Sequence, residues 1–84
     1  MAAGEQMNNP FEWGDEVRIL DPAVVAEQGY GVASVCGFRV VDHESTAREF
    51  GVSIGACLVL IELPSGESLE LPAGKLELIP DQLA

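Results

Sequence analysis

Residues 56–79 read ACLVLIELPSGESLELPAGKLELI, and this stretch decides the predicted fold. The apolar run at its start predicts a buried strand, and the proline and glycine at 64–67 predict a tight hairpin turn. Alternating leucines then predict a strand at 68–71. The segment at 72–75 predicts a one-turn kink before a last short strand at 76–79. The stretch is therefore interpreted as the closing half of a small antiparallel β-structure.

Two further strands are predicted upstream of this stretch. Alternation predicts a first strand at 16–20 and a second at 32–41. Gly37 interrupts the second strand, which indicates a bulge or a sharp bend. Residues 21–31 predict a long first loop, because a helical turn of this length is unstable alone.

A short helical turn is predicted near residues 45–50. Thr46 and Glu49 have the spacing of a capping box, with a hydroxyl at the cap and a carboxylate three residues later. Gly51 supplies a left-handed stop. Phe50 is then expected to fold back onto the core.

Five short strands, a long first loop and a kink before the last strand resemble the SH3-like barrel superfold, including its translation-factor-like and Tudor-like members. The resemblance lies in GDEVRI at 14–19, GYGVASV at 29–35 and LPAGKLELI at 71–79. It implies one all-β domain, a closed five-stranded SH3-like barrel at 11–80. Tails are predicted at 1–10 and 81–84.

The charge of the chain favours some partners over others. It has 14 acidic residues against 4 basic ones, and a formal net charge of −10. Phosphate backbones are bound by lysine and arginine, so direct binding of nucleic acid or an anionic membrane is not expected. A basic protein partner would be attracted instead. The alternative is that the acidic surface serves solubility alone.

Outward glutamates on the last three predicted strands, with one more at the hairpin tip, form an acidic band if those strands are neighbours. Alternation of leucine and glutamate is also what any half-buried sheet shows. Phe11 and two more exposed aromatics are candidate anchors, since aromatics dominate binding hot spots. Trp13 alternatively caps the open end of the barrel. The predicted partner-binding residues are Trp13, Tyr30, Glu62, Glu67, Glu70 and Glu77.

Reactive side chains are few. His43 lies in a predicted exposed loop without a positioned partner, so no catalytic residue is predicted. Cys36 and Cys57 lie in apolar strand patterns and are expected to be reduced core thiols rather than a disulfide. With one histidine, they are too few for a four-ligand zinc site. No metal or cofactor is predicted.

The sequence predicts a non-catalytic, acidic protein–protein interaction module. It is similar to the small acidic immunity proteins of bacterial polymorphic toxin systems, some of which are SH3-like, and this resemblance implies inhibition of a basic partner. An alternative is an accessory or regulatory SH3-like domain of a larger enzyme or ribonucleoprotein assembly. A monomer or a weak homo-oligomer is expected. The absence of a signal peptide and of a long apolar run predicts a cytoplasmic protein.

Overall fold

The computed structural model describes residues 11–80, and the tails predicted at 1–10 and 81–84 lie outside them. The strands are β1 (Glu16–Ile19), β2 (Val32–Val40), β3 (Cys57–Glu62), β4 (Ser68–Pro72) and β5 (Leu76–Leu78). Helix α1 (Pro22–Gln28) follows β1, helix α2 (Glu44–Phe50) follows β2, and a 3-10 turn (Ala73–Lys75) precedes β5. The predicted strand bounds agree with these to within one residue at each end.

The strands form one antiparallel sheet in the order β4-β3-β2-β1-β5. Its mostly-β architecture of five antiparallel strands is as predicted. The predicted closure into a barrel is wrong, since no ladder joins β4 to β5 within residues 11–80. A single 3-10 turn separates these two strands, and β5 then pairs with β1. Strands that are consecutive in the chain thereby become the opposite edges of the sheet.

The bulge predicted at the middle of β2 is present. The register of β2 against β3 shifts between Val35 and Gly37, so that Cys36 is the extra residue. A bulge increases the local twist of a strand. Here the extra residue lies two positions after Ser34, the residue at which β2 pairs with both β1 and β3.

Helix α1 replaces much of the long loop that was predicted after β1. The Asp21 carboxylate caps it by accepting the N–H of Ala23 at 3.0 Å. The helix ends at Gly29, which has φ 83 and donates its N–H to the Val25 carbonyl. The prediction was wrong because a short helix gains stability from packing. Val24 and Val25 supply that packing against the core.

The short helix predicted after β2 is present as α2, but its N-cap differs. In place of a capping box formed by Thr46 and Glu49, His43 is the N-cap, and its Nδ1 accepts the N–H of Ser45 at 3.3 Å. Gly51 ends the helix with φ 67, as predicted. The cap therefore lies three residues earlier than the sequence pattern indicated.

Two apolar clusters form the core, on opposite faces of β3. Successive side chains of a strand face opposite sides, so Val59 joins the main cluster while Leu58 joins the second. Helix α1 packs on the main cluster and α2 on the second. The buried residues of the main cluster are Phe11, Val17, Ile19, Ala33, Val35, Cys57, Val59, Ile61, Leu63, Leu71 and Leu76. Those of the second cluster are Val41, Ala47 and Leu58.

Candidate functional site: an acidic end of the sheet

One row of polar residues crosses four strands at one end of the sheet. Glu16 pairs with Ser34, Ser34 with Glu62, and Glu62 with Ser68. Paired residues point to the same face, and neighbouring strands lie about 4.8 Å apart, so the backbones of Glu16 and Glu62 are separated by about 10 Å. A shallow groove of about 150 Å³ lies along the row, with both glutamates and Ser34 in its lining.

Three further carboxylates lie at this end. The turn from Glu12 to Asp15 is held against β2, since the Gly14 N–H donates to the Val35 carbonyl at 2.8 Å and the Val35 N–H donates to the Asp15 carbonyl at 2.8 Å. Glu67 follows the hairpin turn, directly before β4. We call the group the acidic end. It consists of Glu12, Asp15, Glu16, Glu62 and Glu67.

Three of the four cations of the described chain form ion pairs away from the acidic end, and the fourth, Arg48, lies on α2. The guanidinium of Arg18 contacts Glu77 at 2.8 Å, that of Arg39 contacts Glu70 at 2.6 Å, and Lys75 lies 3.4 Å from Asp21. Among residues 11–80, no lysine or arginine forms an ion pair with a carboxylate of the acidic end. Its negative charge is therefore not compensated by an ion pair there, and the Asp15 carboxylate accepts the backbone N–H of Glu12, at 2.8 Å.

Arg39 and Glu70 form the closest of these pairs. The carboxylate accepts from Nε at 2.6 Å and from a terminal nitrogen at 3.0 Å, so the contact is bidentate. This hydrogen bond raises the pKa of Arg39 further above its usual range, followed by the direct attraction of the Glu70 charge. The pair spans β3, because Arg39 lies on β2 and Glu70 on β4. The negative charge of Glu70 is thereby balanced by the positive charge of Arg39.

The predicted band across the last three strands is not formed. Glu62 and Glu67 lie at the acidic end, whereas Glu70 is paired with Arg39. Glu77 lies on β5 at the opposite edge of the sheet and is paired with an arginine of β1. The band required β5 to neighbour β3 and β4, but β5 pairs with β1 instead.

The three candidate anchors have separate positions. Trp13 lies in the turn of the acidic end and is 73% exposed, so it does not cap the core. Tyr30 is 38% exposed and lies at the other end of β1, where the Ile19 N–H donates to the Gly31 carbonyl. Phe11 is buried in the main cluster and is not a surface anchor. Trp13 is thus the aromatic that accompanies the acidic end.

Glu12, Asp15 and Glu16 are the members of the acidic end that the sequence did not indicate. The alternation of β1 shows that Glu16 faces outward, but its neighbour Glu62 is 46 positions away in the sequence. Only the strand order brings the two to one row. The sequence signal that could have found them is the succession of strands. If the first strand pairs with the second and the second with the third, Glu16 and Glu62 come to one row.

The two cysteines and the one histidine are not part of the acidic end. Both cysteines are free, and burial raises the pKa of the Cys57 thiol, which favours its protonated form. Cys36 is half-buried at the bulge rather than fully in the core as expected. His43 caps α2 and lies 2.9 Å from the Ser45 hydroxyl. Within residues 11–80, no group of three or more metal-ligating side chains is placed to hold an ion.

A larger groove, of about 440 Å³, lies between the loop after α2 and the 3-10 turn. Its walls are mainly apolar, and Lys75 is the charged residue among them. The lining residues are Phe50, Gly51, Val52, Ala56, Cys57, Pro72, Ala73, Gly74 and Lys75. This groove therefore differs in chemistry from the acidic end.

Comparison of the chain with family models, curated proteins and solved structures finds no match. In the part of the chain that the structure describes, no helix is long and apolar enough to cross a membrane. The geometry itself defines a small antiparallel sheet protein with one strongly acidic end and an exposed tryptophan beside it.

Proposed function

We propose that this protein is a non-catalytic protein-binding module whose partner carries a basic surface. The observation that carries the proposal is the acidic end, five carboxylates without an ion pair beside the exposed Trp13. Uncompensated surface charge of one sign steers a partner of the opposite sign and fixes its orientation. An exposed tryptophan then supplies apolar contact area, as at many binding hot spots.

The distribution of cations supports a protein partner over a nucleic acid. Phosphate binding requires lysine and arginine side chains that are free to displace counterions. Arg18, Arg39 and Lys75 each contact a carboxylate of the same chain, which lowers their availability for phosphate. The remaining base, Arg48, lies on α2, where Glu44 and Glu49 add negative charge.

A specific form of the proposal is that the chain inhibits a basic enzyme by occluding it, as the resemblance to immunity proteins implies. The meander of the first four strands, followed by a 3-10 turn and a fifth strand that pairs with β1, supports assignment of the sheet to an open SH3-like form. This form of the proposal predicts that co-expression protects a host from a toxin encoded beside the chain. Loss of protection on neutralising the acidic end would identify the occluding surface.

The test compares two variants that each remove three negative charges. The first variant, E16Q/E62Q/E67Q, removes three negative charges from the acidic end. The control, E27Q/E44Q/E49Q, removes three negative charges from helices α1 and α2. Both are used as baits at low and moderate salt in extracts of the source cell, and captured proteins are identified and their affinity measured. We expect the first variant to weaken binding of a basic partner by about tenfold or more, with little effect of the control.

Addition of salt should weaken the wild-type complex steeply and the first variant only slightly, because exposed charges are screened. W13A should weaken the complex at every salt concentration, since its contribution is apolar. Equal loss of binding in both triple variants would contradict a localised site. Partners that bind all variants equally would contradict the proposal itself.

A further inference from the structure

Among residues 11–80, the outer edge of β4 carries backbone groups that no other strand bonds. The Leu63 N–H donates to the Glu67 carbonyl at 2.8 Å, which marks a hydrogen-bonded pair at the hairpin. Hydrogen-bonded and non-hydrogen-bonded pairs alternate along an antiparallel ladder. Ser68, Glu70 and Pro72 therefore occupy the non-hydrogen-bonded positions opposite β3. Their backbone groups point away from the sheet, and Pro72, which lacks an N–H, fits such a position.

The two edges of the sheet differ in how well they are protected. Natural sheets protect edges by short strands, charge and proline. β5 has only 3 residues. β4 has 5, with its proline at the last position, and the Glu70 charge at its centre is neutralised by Arg39. The outward N–H and carbonyl groups of Ser68 and Glu70 thus remain an open template for one more strand.

We propose that the partner adds an extended segment to the β4 edge, with basic and apolar residues in alternation. The proposal rests on the proposed function and specifies how a basic partner is held. On one face of the sheet, the small side chain of Ser68 separates the edge from Glu62, so a lysine or arginine of the added strand reaches this carboxylate. On the other face, the partly buried side chain of Leu69 offers an apolar neighbour at the border of the main cluster.

Charge favours a partner over a second copy as the occupant. Each copy carries a formal net charge of −10, so pairing of two copies at β4 would bring two strongly negative molecules into contact. Like charges that face each other oppose pairing. A basic strand gains from the same field. The edge therefore selects its occupant by charge, while the backbone supplies hydrogen bonds.

The test uses the full chain labelled with nitrogen-15 and a capped hexapeptide of alternating lysine and valine. A hexapeptide of alternating glutamate and valine is the control probe. Addition of the basic peptide should slow hydrogen exchange of the Ser68 and Glu70 amides by about tenfold or more, because both gain acceptors. The acidic peptide should leave both amides unchanged. Calorimetry measures the affinity in parallel.

Two proline variants separate the edges. In S68P an outward N–H of β4 is removed. L78P removes an outward N–H of β5, since the positions that bond β1 are Lys75, Glu77 and Ile79, which alternate with Leu76 and Leu78. Thermal unfolding first shows whether both variants fold. If either variant does not fold, the hydrogen-exchange experiment on the wild-type chain remains the test of strand addition. We expect S68P to weaken the basic peptide by about tenfold or more and L78P to leave its affinity unchanged.

Three other outcomes would contradict strand addition at β4, the choice of a partner as occupant, or the proposed function. If the basic peptide binds but the Ser68 and Glu70 amides exchange as before, strand addition at β4 is wrong and the proposed function stands. If these amides are protected without peptide, in proportion to protein concentration, a second copy occupies the edge. If the basic peptide fails to bind even at low salt, the proposed function fails with the inference.

Discussion

At the scale of single residues, Asp21 connects local capping to long-range structure. The N–H of Ala23 donates to its carboxylate and is the main cause that holds the pKa of Asp21 below its usual range. Lys75, which precedes β5, adds to this from 3.4 Å. A depressed folded-state pKa stabilises the protein above the unfolded pKa, and this stabilisation is lost as the pH falls through the folded pKa.

We expect D21A to lower Tm at pH 7 by about 4 °C or more, because α1 loses its N-cap. D21N keeps an acceptor at the cap and should change Tm little at pH 7. Between about pH 5 and pH 3, the wild type should lose more stability than D21N, since asparagine does not titrate. Thermal unfolding followed by circular dichroism across this range measures the difference. Parallel pH profiles of wild type and D21N would contradict the assignment.

At the scale of secondary-structure elements, β3 is the strand on which both clusters depend. Leu58, on the face opposite the main cluster, is fully buried beneath α2. The same strand contributes Val59 and Ile61 to the main cluster. The position of α2 thus depends on a side chain of the central strand, and the strand is buried on both faces there.

We expect L58A to lower the free energy of unfolding by roughly 2–5 kcal/mol, because a large side chain is removed from a packed site. L78A provides a control with the same change at a residue that is 44% exposed, and it should cost less than about 1 kcal/mol. Urea unfolding measures both values. Hydrogen exchange should show α2 opening more often in L58A, and equal costs of the two substitutions would contradict the second cluster.

Strands were predictable from the sequence because local patterns encode them. Alternation placed β1 and β4, the apolar run placed β3, and Gly37 marked the bulge. Helix α1 was missed because its stability comes from the contact of Val24 and Val25 with distant residues. His43 as an N-cap was missed because histidine is not a typical capping residue. Local sequence patterns therefore predicted the strands, whereas helix α1 depends on long-range packing that such patterns do not contain.

At the scale of the whole molecule, charge is distributed unevenly and largely uncompensated. The acidic end has no ion pair, while the contacts of Arg18, Arg39 and Lys75 lie elsewhere in the described chain. Net charge far from zero destabilises a compact state by self-repulsion. Salt screens this repulsion, with a Debye length of about 30 Å at 0.01 M and about 8 Å at 0.15 M.

We therefore expect Tm to rise by a few degrees when sodium chloride is raised from about 0.01 M to about 0.15 M. The E16Q/E62Q/E67Q variant should have a higher Tm than the wild type at low salt and respond less to added salt. Differential scanning calorimetry gives both values. A Tm that falls with salt would mean that the three ion pairs outweigh the repulsion.

The candidate site was only partly predictable from the sequence, because its composition depends on the strand order of the whole sheet. Trp13, Glu62 and Glu67 were indicated by residue type and outward position. Glu70 and Glu77 were indicated equally, but their arginine partners lie 31 and 59 positions away in the sequence. Whether a carboxylate is neutralised depends on strand order, which alternation alone does not specify.

The place of β5 at the sheet edge has a consequence for how the chain folds as it is synthesised. β1 is among the first described segments to be made, yet one of its two neighbours, β5, is the last strand of the sheet. The main cluster likewise extends from Phe11 to Leu76, so it is incomplete until Leu76 has left the ribosome. Contacts this distant in sequence slow folding. Until residues 76–78 arrive, β1 in a nascent chain can pair with β2 alone, and its other edge stays open to non-native contacts.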